Sequence, residues 1–300
     1  MQELDLLVLG AGWTATFLIP LLQQHRLLFA ATTSDGRTVA GSPTLTWTFD
    51  PDAPEAELQA SFARLPRARH VLIVFPLTGE GQSKLLTQTY TKAHGGGGSD
   101  RHFRFIQLGS TGIWQSDPAQ QPWLDRRSPY ERTSGRTVAE DELLALGGCV
   151  LDLAGLWGGS RDPRHWVERV APTKEAVKGK ASLHMVHGED VARVVVAVVQ
   201  KSERGQWADV GYGQRWMVTD GFVYDWWSLF AGWADTGKDE DREGKASRKP
   251  TKQAQWVYEL MQEQDVRALP RSMEALGRCY DSSELWKTLG IAPLKAGLGL

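Results

Sequence analysis

The chain has 300 residues and a formal net charge of −2, with 34 Lys and Arg against 36 Asp and Glu. This near balance gives no general electrostatic attraction to nucleic acid, and no apolar run reaches the roughly 18 residues that a membrane span needs. The two cysteines indicate neither a disulfide framework nor a cysteine-based metal site. We therefore expect a cytoplasmic protein whose partners are small molecules rather than nucleic acid or a membrane.

The first half of the chain alternates between apolar runs of strand length and segments with helical spacing. The runs that predict strands are 4–9, 27–31, 45–49, 71–75, 103–108 and 149–153. The segments that predict helices are 13–24, 54–64, 81–94 and 132–146. Such alternation is typical of an α/β fold, a doubly wound parallel sheet of the Rossmann type with helices on both faces.

After Ala154 this rhythm breaks into mixed elements, with many tryptophans. We expect a nucleotide-binding domain over 1–153 and a smaller, mixed C-terminal substrate lobe over 154–300, with some chain crossing back to the sheet. Segment 190–200 predicts a buried helix, because acidic residues open it before a valine-rich run. Segment 237–252 is densely charged and predicts a mobile surface loop. The glycine run in 95–99 predicts a flexible loop and also matches a common engineered linker.

The most informative segment is the glycine-rich turn that follows the first strand. Gly10, Gly12 and Ala15 form the pattern G-x-G-x-x-A between an apolar run and a helical segment. In this pattern the first glycine allows a tight turn, the second leaves room for a dinucleotide diphosphate, and the small third residue lets helix and strand approach. The free N–H groups of the helix, at Trp13 and Thr14, would face the anion.

The end of the second strand indicates which nicotinamide cofactor is preferred. Thr33, Ser34 and Arg37 offer hydroxyls and a cation, which suit a 2′-phosphate, so they favour NADP over NAD. Asp35 is acidic and would instead favour NAD. An ordinary polar turn without any cofactor contact is the alternative to both cofactor assignments.

Three further residues are candidates for the cofactor channel. Asp50, after the third strand, is a candidate for the adenine edge, although a turn or helix-capping role explains it better. Phe75 and Pro76, after the fourth strand, are expected to line the channel, although strand termination explains the proline equally well.

Taken together, several segments resemble the extended short-chain dehydrogenase/reductase superfamily, in its NAD-dependent epimerase/dehydratase group. The matching segments are 10–15, 107–114, 136–140, 153–158 and 184–192. The likeness covers nearly the whole chain and is closest to uncharacterised nucleotide-sugar-epimerase-like proteins. It implies an NAD(P)-binding Rossmann fold, and homodimers are usual in that superfamily.

The resemblance also implies a Ser or Thr after the fifth strand and a Tyr-x-x-x-Lys pair on the next helix, in which the tyrosine is the acid/base. Ser110 matches the hydroxyl position, with Thr111 beside it. The pair itself does not match, because Arg132 stands at the tyrosine position and Arg136 at the lysine position. Arg136 can still supply a cation and ribose contacts, whereas an arginine is a poor acid/base.

Other groups are candidates for the missing acid/base. Tyr130 lies two residues before the expected site and is a candidate if it turns into the pocket. Glu131 or a group from the C-terminal lobe would be alternatives, and in a further alternative no proton transfer occurs.

Metal and hydrolase chemistry find little support. His184 and His187 lack accompanying ligands at metal spacing, so we expect no metal site, and His187 is a weak candidate for the pocket. Ser110 does not stand in the G-x-S-x-G pattern of a hydrolase nucleophile.

Two functions remain open on the sequence. The first is an NADP(H)-dependent oxidoreductase or epimerase-like enzyme that acts on a small carbonyl, alcohol or sugar-like substrate at a non-standard site. The second is a catalytically inactive NAD(P)-binding regulator or scaffold, as in the nitrogen-metabolite-repressor-like members of the superfamily.

Overall fold

A computed structural model of the chain describes residues 3–95, 103–115, 122–235 and 250–298. The predicted loop at 95–99 lies outside these residues except for Gly95, and so does the predicted charged loop up to residue 249. In the described parts of the chain, no helix is both long and apolar enough to cross a membrane.

The strands are β1 Leu4–Leu9, β2 Phe29–Thr33, β3 Leu45–Thr46, β4 Ala68–Ile73, β5 Arg104–Ser110, β6 Trp123–Leu124, β7 Cys149–Leu153, β8 Gly155–Trp157, β9 Ser182–Leu183, β10 Met185–His187, β11 Arg215–Val218, β12 Tyr224–Asp225 and β13 Cys279–Tyr280. The α-helices are α1 Trp13–Gln24, α2 Glu55–Ala63, α3 Gln82–His94, α4 Gly135–Ala145, α5 Val167–Val170, α6 Lys174–Lys178, α7 Gly188–Lys201, α8 Trp207–Val210, α9 Trp226–Gly232, α10 Lys252–Glu263, α11 Met273–Leu276 and α12 Ser283–Leu289.

The predicted parallel sheet is confirmed. Within the described residues it has seven strands in the order β3-β2-β1-β4-β5-β7-β11, and every neighbouring pair is parallel. The chain winds outwards from β1 in one direction and from β4 in the other, so the carboxyl ends of β1 and β4 form the crevice where doubly wound sheets bind ligands. Gly10 follows β1 directly at this point.

Both faces of the sheet are covered by helices. One core layer packs α1, α7 and α12 against the sheet, with most apolar side chains of α7 buried. The other packs α2, α3 and α4 on the opposite face. The predicted buried helix at 190–200 is therefore confirmed as part of α7, and it begins where the His187 side chain accepts a hydrogen bond from the Glu189 N–H (3.1 Å).

Beyond residue 153 the chain contributes to both the sheet and a second cluster. β11 extends the sheet beside β7, and α7 packs on α1. The remaining elements bury their own apolar cluster, in which Trp227, Tyr224 and Phe230 are almost fully buried. Part of the aromatic content of the C-terminal half therefore forms a core of its own, whereas Trp207, Trp216 and Trp286 pack in the core layer of α1 and α7.

Some predicted strand and helix boundaries are wrong, because they depend on strand pairing and capping contacts that a sequence pattern does not show. β4 begins at Ala68, not residue 71, since Leu4 of β1 pairs with Ala68. The predicted strand over 45–49 shrinks to two residues at the sheet edge. The predicted helix over 132–146 begins only at Gly135, because the Ser134 side chain caps the Thr137 N–H and fixes the start there.

Candidate functional site

The glycine turn after β1 has the geometry that a bound diphosphate needs. Gly10 has a φ of +89°, a left-handed conformation that favours glycine, and its N–H donates to the Thr32 hydroxyl (3.1 Å). A Cβ built on Gly12 would have no protein atom within 4 Å, so space is open above the turn. Ala15 is 1% exposed and packs the helix closely on the strand.

The N-terminus of α1 adds open hydrogen-bond donors at this turn. No side chain of the described residues caps it, and its first turn, with Trp13 and Thr14, holds no acidic residue. An anion at this end is favoured by the unpaired N–H groups and by the helix dipole. The turn therefore fits a phosphate-bearing ligand on its own geometry.

A cleft of about 450 Å³ opens beside the turn. It is bounded by backbone from the glycine turn, by the polar end of β2, and by aromatic side chains that follow β3 and β4. The lining residues are Gly10, Ala11, Gly12, Thr33, Ser34, Arg37, Trp47, Thr48, Phe49 and Phe75. The structure thus brings six of the residues selected from the sequence, Gly10, Gly12, Thr33, Ser34, Arg37 and Phe75, into one cleft.

An aromatic wall of the cleft is formed by Phe75, which was selected from the sequence, and by Trp47 and Phe49, which the sequence reasoning missed. The rings of Phe49 and Phe75 are stacked with centroids 6.2 Å apart, and Trp47 lies 6.5 Å from Phe75. Flat apolar rings of this kind suit the face of a purine base. The available signal was the pair of large aromatic residues, Trp47 and Phe49, in and at the end of the predicted strand over 45–49; only the structure shows that β3 ends at Thr46 and leaves both residues past the strand.

The polar rim of the cleft is built by the loop after β2. The Arg37 guanidinium donates to both carboxylate oxygens of Asp35 at 3.0 Å, and both side chains are more than half exposed. This hydrogen bonding from Arg37 lowers the pKa of Asp35. The Thr33 and Thr44 hydroxyls are 2.7 Å apart, and Thr44 donates to the Arg37 carbonyl, which fixes the loop.

Two residues selected from the sequence do not line this cleft. Asp50 is exposed and accepts a hydrogen bond from the Asp52 N–H (3.1 Å), which is the turn role. Pro76 is exposed beside Phe75. Contact of either residue with a cofactor stays a prediction.

Ser110 ends β5 with its hydroxyl at the same edge of the sheet. Its N–H donates to Asp152 Oδ1 (2.9 Å), and its Oγ accepts from the Gly112 N–H (3.2 Å). Ser110 is half-buried, whereas Thr111 is 6% exposed and its hydroxyl is directed to the Leu153 carbonyl (3.4 Å). Of the two hydroxyls, that of Ser110 is therefore the more accessible.

Tyr130 is engaged within the protein. Its hydroxyl donates to Asp141 Oδ1 (2.7 Å), and its ring lies against the guanidinium groups of Arg132 (5.0 Å) and Arg215 (4.8 Å). Burial and the hydrogen bond to Asp141 raise the pKa of Tyr130. This direction is opposite to that needed by a phenol acting as acid/base near neutral pH.

The two arginines do not share a helix. Arg132 is exposed in the segment before α4, and Arg136 is half-buried in the first turn of α4. The prediction that Arg132 lies on the same helix as Arg136 is therefore wrong, because α4 begins at Gly135. Glu131 is exposed and accepts from the Thr133 N–H (2.6 Å), so it lies on the surface.

Solved structures with a similar fold match nearly the whole chain. A functionally unknown conserved protein from Silicibacter pomeroyi matches with 17% identity and a TM-score of 0.61, covering 98% of this chain and 95% of that one. UDP-glucose 4-epimerase from Thermotoga maritima, solved with UDP-glucose, matches with 13% identity and a TM-score of 0.58, covering 98% and 96%. A human epimerase family protein, solved with NADPH, matches with 14% identity and a TM-score of 0.55, covering 98% and 95%.

The chain has the fold of the extended short-chain dehydrogenases/reductases. The resemblance inferred from the sequence segments is confirmed at the level of fold. No protein-family model matches the sequence, and no curated protein matches it either.

A buried charge network lies directly behind Ser110 in this fold, and the sequence reasoning missed it. Arg215 donates through Nη1 to Glu140 Oε2 (2.8 Å) and Asp152 Oδ2 (2.7 Å), and through Nη2 to Asp141 Oδ1 (2.9 Å). Glu140 and Asp152 are fully buried, and Arg215 is 6% exposed. One buried arginine thus connects the carboxylate that holds the Ser110 amide with the carboxylate that holds Tyr130.

The electrostatics of this network follow from burial. Two buried carboxylates share one guanidinium, so burial raises the pKa of Asp152 to about 7 and also raises that of Glu140, against the opposing effect of Arg215. Gly109 is required beside them, because an added Cβ would lie 2.1 Å from Asp152 Oδ1.

The glycine turn is also tied to the C-terminal half of the chain. The Trp13 indole N–H donates to the Gly158 carbonyl (3.1 Å), and the Arg161 guanidinium lies 4.4 Å from the Trp13 ring.

The two histidines considered as metal ligands have other contacts. The His187 ring packs between the rings of Phe17 (5.3 Å between centroids) and Trp157 (4.7 Å). His184 is buried and accepts from the Tyr280 N–H (3.0 Å). Among the described residues no group of three His, Cys, Asp or Glu side chains is placed to hold a metal ion.

Proposed function

We propose that this protein binds NADP(H) in the cleft beside Gly10 and Gly12 and acts as an oxidoreductase or epimerase-like enzyme. The observation that carries the proposal is the open space above Gly12 at an uncapped helix N-terminus, next to a cleft with a guanidinium on its rim. The turn N–H groups would hold the diphosphate, the aromatic wall the adenine, and Arg37 the 2′-phosphate.

Hydride exchange with a carbonyl or alcohol carbon is the chemistry that a bound nicotinamide supplies. On the protein side, the half-buried Ser110 hydroxyl would donate to the substrate oxygen and orient it, with its backbone held by Asp152. The substrate is proposed to be a small carbonyl, alcohol or sugar-like molecule. The UDP-glucose in the Thermotoga maritima epimerase structure supports a sugar-like class.

The engagement of Tyr130 favours a second candidate function. Because its hydroxyl donates to Asp141 and its pKa is raised, the site lacks a ready phenol acid/base. A chain with this site would bind the cofactor without turnover and serve as a dinucleotide-responsive regulator or scaffold.

A thermal-shift measurement with NADPH, NADP, NADH and NAD tests the binding that both candidates share. A ligand at one hundred times its Kd adds about 2.7 kcal/mol to the stability of the folded state. In a chain of this size that raises the Tm by roughly 4 °C. We expect the largest shift with NADPH or NADP, and the absence of a shift with all four would refute both candidates.

Absorbance of the reduced cofactor, followed against a panel of carbonyl substrates, separates the two candidates. Turnover that is lost in Ser110→Ala, while the thermal shift with NADPH is kept, supports the enzyme. A thermal shift without turnover across the panel, in both the wild type and Tyr130→Phe, supports the binding protein. Arg64→Gln serves as a control that should keep both the thermal shift and any turnover, because Arg64 is an exposed arginine at the end of α2, away from the cleft.

A further inference from the structure

A turn from the C-terminal half of the chain lies against the start of α1. It follows β8 and is closed by two hydrogen bonds, from the Gly158 N–H to the Arg161 carbonyl (2.8 Å) and from the Arg161 N–H to the Gly158 carbonyl (3.0 Å). Gly158 and Gly159 have φ values of +103° and +56°, in the region that favours glycine. The backbone therefore folds back sharply and carries Arg161 with it.

Contacts with α1 fix the position of this turn. The Gly158 carbonyl also accepts from the Trp13 indole N–H (3.1 Å). A Cβ built on Gly159 would lie 3.2 Å from the Phe17 ring and 3.8 Å from Trp13 Nε1. Trp13 and Phe17 are four residues apart, so they share one face of α1. The turn therefore packs on the beginning of this helix, directly after the glycine turn that follows β1.

The Arg161 guanidinium lies at the same helix start. Its Cζ is 4.4 Å from the centre of the Trp13 ring. The backbone N–H of Trp13 is one of the open donors at the N-terminus of α1. A single residue thus supports the guanidinium with its ring and offers its N–H to an anion. Because Arg161 is exposed, its guanidinium can turn from the ring to an anion at this N–H without displacing a packed group.

The carboxylate next to Arg161 in the sequence is paired with a different arginine. Arg164 donates through Nε and Nη2 to both carboxylate oxygens of Asp162, at 2.6–3.0 Å. In the described parts of the chain, Arg161 itself makes no salt bridge with a carboxylate, and the first turn of α1 holds no acidic residue. A cation beside an uncapped helix start favours an anion held by both.

We propose that Arg161 binds the diphosphate of the bound dinucleotide, so that a cation from the C-terminal half of the chain joins the N–H groups of α1 on this anion. This inference rests on the proposed function, because it adds a ligand to the cofactor of the same cleft. The diphosphate is the anion proposed at the start of α1, whereas the 2′-phosphate is proposed at Arg37. The guanidinium is always charged and donates paired hydrogen bonds to phosphate oxygens.

The experiment uses the full chain and measures the affinities of NADPH, NADH and ADP-ribose by calorimetry at constant ionic strength. All three ligands carry the diphosphate, NADPH alone carries the 2′-phosphate, and ADP-ribose lacks the nicotinamide. In Arg161→Gln we expect all three affinities to fall by a similar factor of about ten, as for a lost hydrogen bond to a charged group. Arg161→Lys is expected to regain part of the loss. Arg64→Gln, which removes an exposed positive charge elsewhere, is expected to leave the affinities unchanged.

Thermal unfolding of the cofactor-free protein separates binding from a merely structural role of Arg161. An exposed contact between a cation and a ring contributes little to stability, so the Tm of Arg161→Gln is expected to stay within roughly 2 °C of the wild type. A larger fall in Tm would show that Arg161 holds the turn in place, and it would overturn the inference.

Four results of the titrations would also overturn it. They are unchanged affinities in Arg161→Gln, an equal loss in Arg64→Gln, a loss limited to NADPH, which would assign Arg161 to the 2′-phosphate, and a loss limited to NADPH and NADH, which would assign it to the nicotinamide half. A failure of the proposed function is seen separately, as the absence of NADPH and NADH binding to the wild type.

Discussion

Removal of the Arg215 guanidinium is predicted to destabilise the fold strongly, and more at alkaline than at acidic pH. Arg215→Met keeps most of the apolar stem and removes three hydrogen bonds of 2.7–2.9 Å to Glu140, Asp141 and Asp152. Two of these carboxylates are fully buried. Leaving a buried charge without its partner costs about 3–5 kcal/mol, which corresponds to a fall in Tm on the order of 10 °C for a chain of this size.

The pH dependence follows from the direction of the pKa shifts. The folded-state pKa of Asp152 is raised to about 7, above its unfolded value, so the folded state binds more protons than the unfolded state between about pH 4 and 7. Stability from this group is therefore fully present at low pH and is lost as pH rises through 7. Removing the guanidinium raises the pKa of Asp152 and of Glu140 further. The deficit of the variant is therefore expected to be smaller at pH 5, where Asp152 stays protonated, than at pH 8, where the folded state must either ionise an unpaired buried carboxyl or hold its proton.

The assay is thermal unfolding followed by intrinsic fluorescence, for which the chain has 13 tryptophans. Arg164→Met is the matched control, since Arg164 is 66% exposed and pairs with Asp162 at the surface. Exposed pairs contribute about 0–1 kcal/mol, so the control is expected to shift the Tm by only a few degrees at either pH. Asp152→Asn added to Arg215→Met is expected to recover part of the loss at pH 8.

Two results would refute this reasoning. One is a Tm of Arg215→Met at pH 8 that is no lower than that of Arg164→Met. The other is an equal deficit at pH 5 and pH 8, because a deficit caused by buried carboxylates must shrink when they are protonated.

The remaining predictions concern the cleft and its support. Gly12→Ala is expected to leave the Tm of the cofactor-free protein unchanged, because its Cβ meets nothing within 4 Å. It is expected to weaken NADPH binding about tenfold by occupying the diphosphate space. Equal NADPH affinities of the wild type and the variant would contradict the placement of the diphosphate above Gly12. Arg37→Gln is expected to weaken NADPH by about tenfold or more and leave NADH unchanged, as measured by fluorescence titration, and an equal loss for both would show that Arg37 does not bind the 2′-phosphate. Gly109→Ala is expected to lower stability by about 1–3 kcal/mol, because its Cβ would lie 2.1 Å from Asp152 Oδ1; an unchanged Tm would show that the carboxylates move aside freely.

The sequence by itself determined the fold class and the place of the glycine-rich turn after β1. The bounds of β1, α1 and β7 agree with the predicted 4–9, 13–24 and 149–153. The reason is that apolar periodicity, glycine turns and helix starts act over a few neighbouring residues, which a sequence pattern records directly. The polar rim at Thr33, Ser34 and Arg37 was equally readable, because it directly follows a strand.

The tertiary structure alone decided the charge network around Arg215 and the role of Tyr130. Arg215 lies 75 residues from Glu140 and 63 from Asp152, and no local pattern links them. They meet because β11 returns to the sheet beside β7, which brings Arg215 onto the face covered by α4. Which charges are paired with each other depends on contacts between residues far apart in the chain, and only packing determines those contacts.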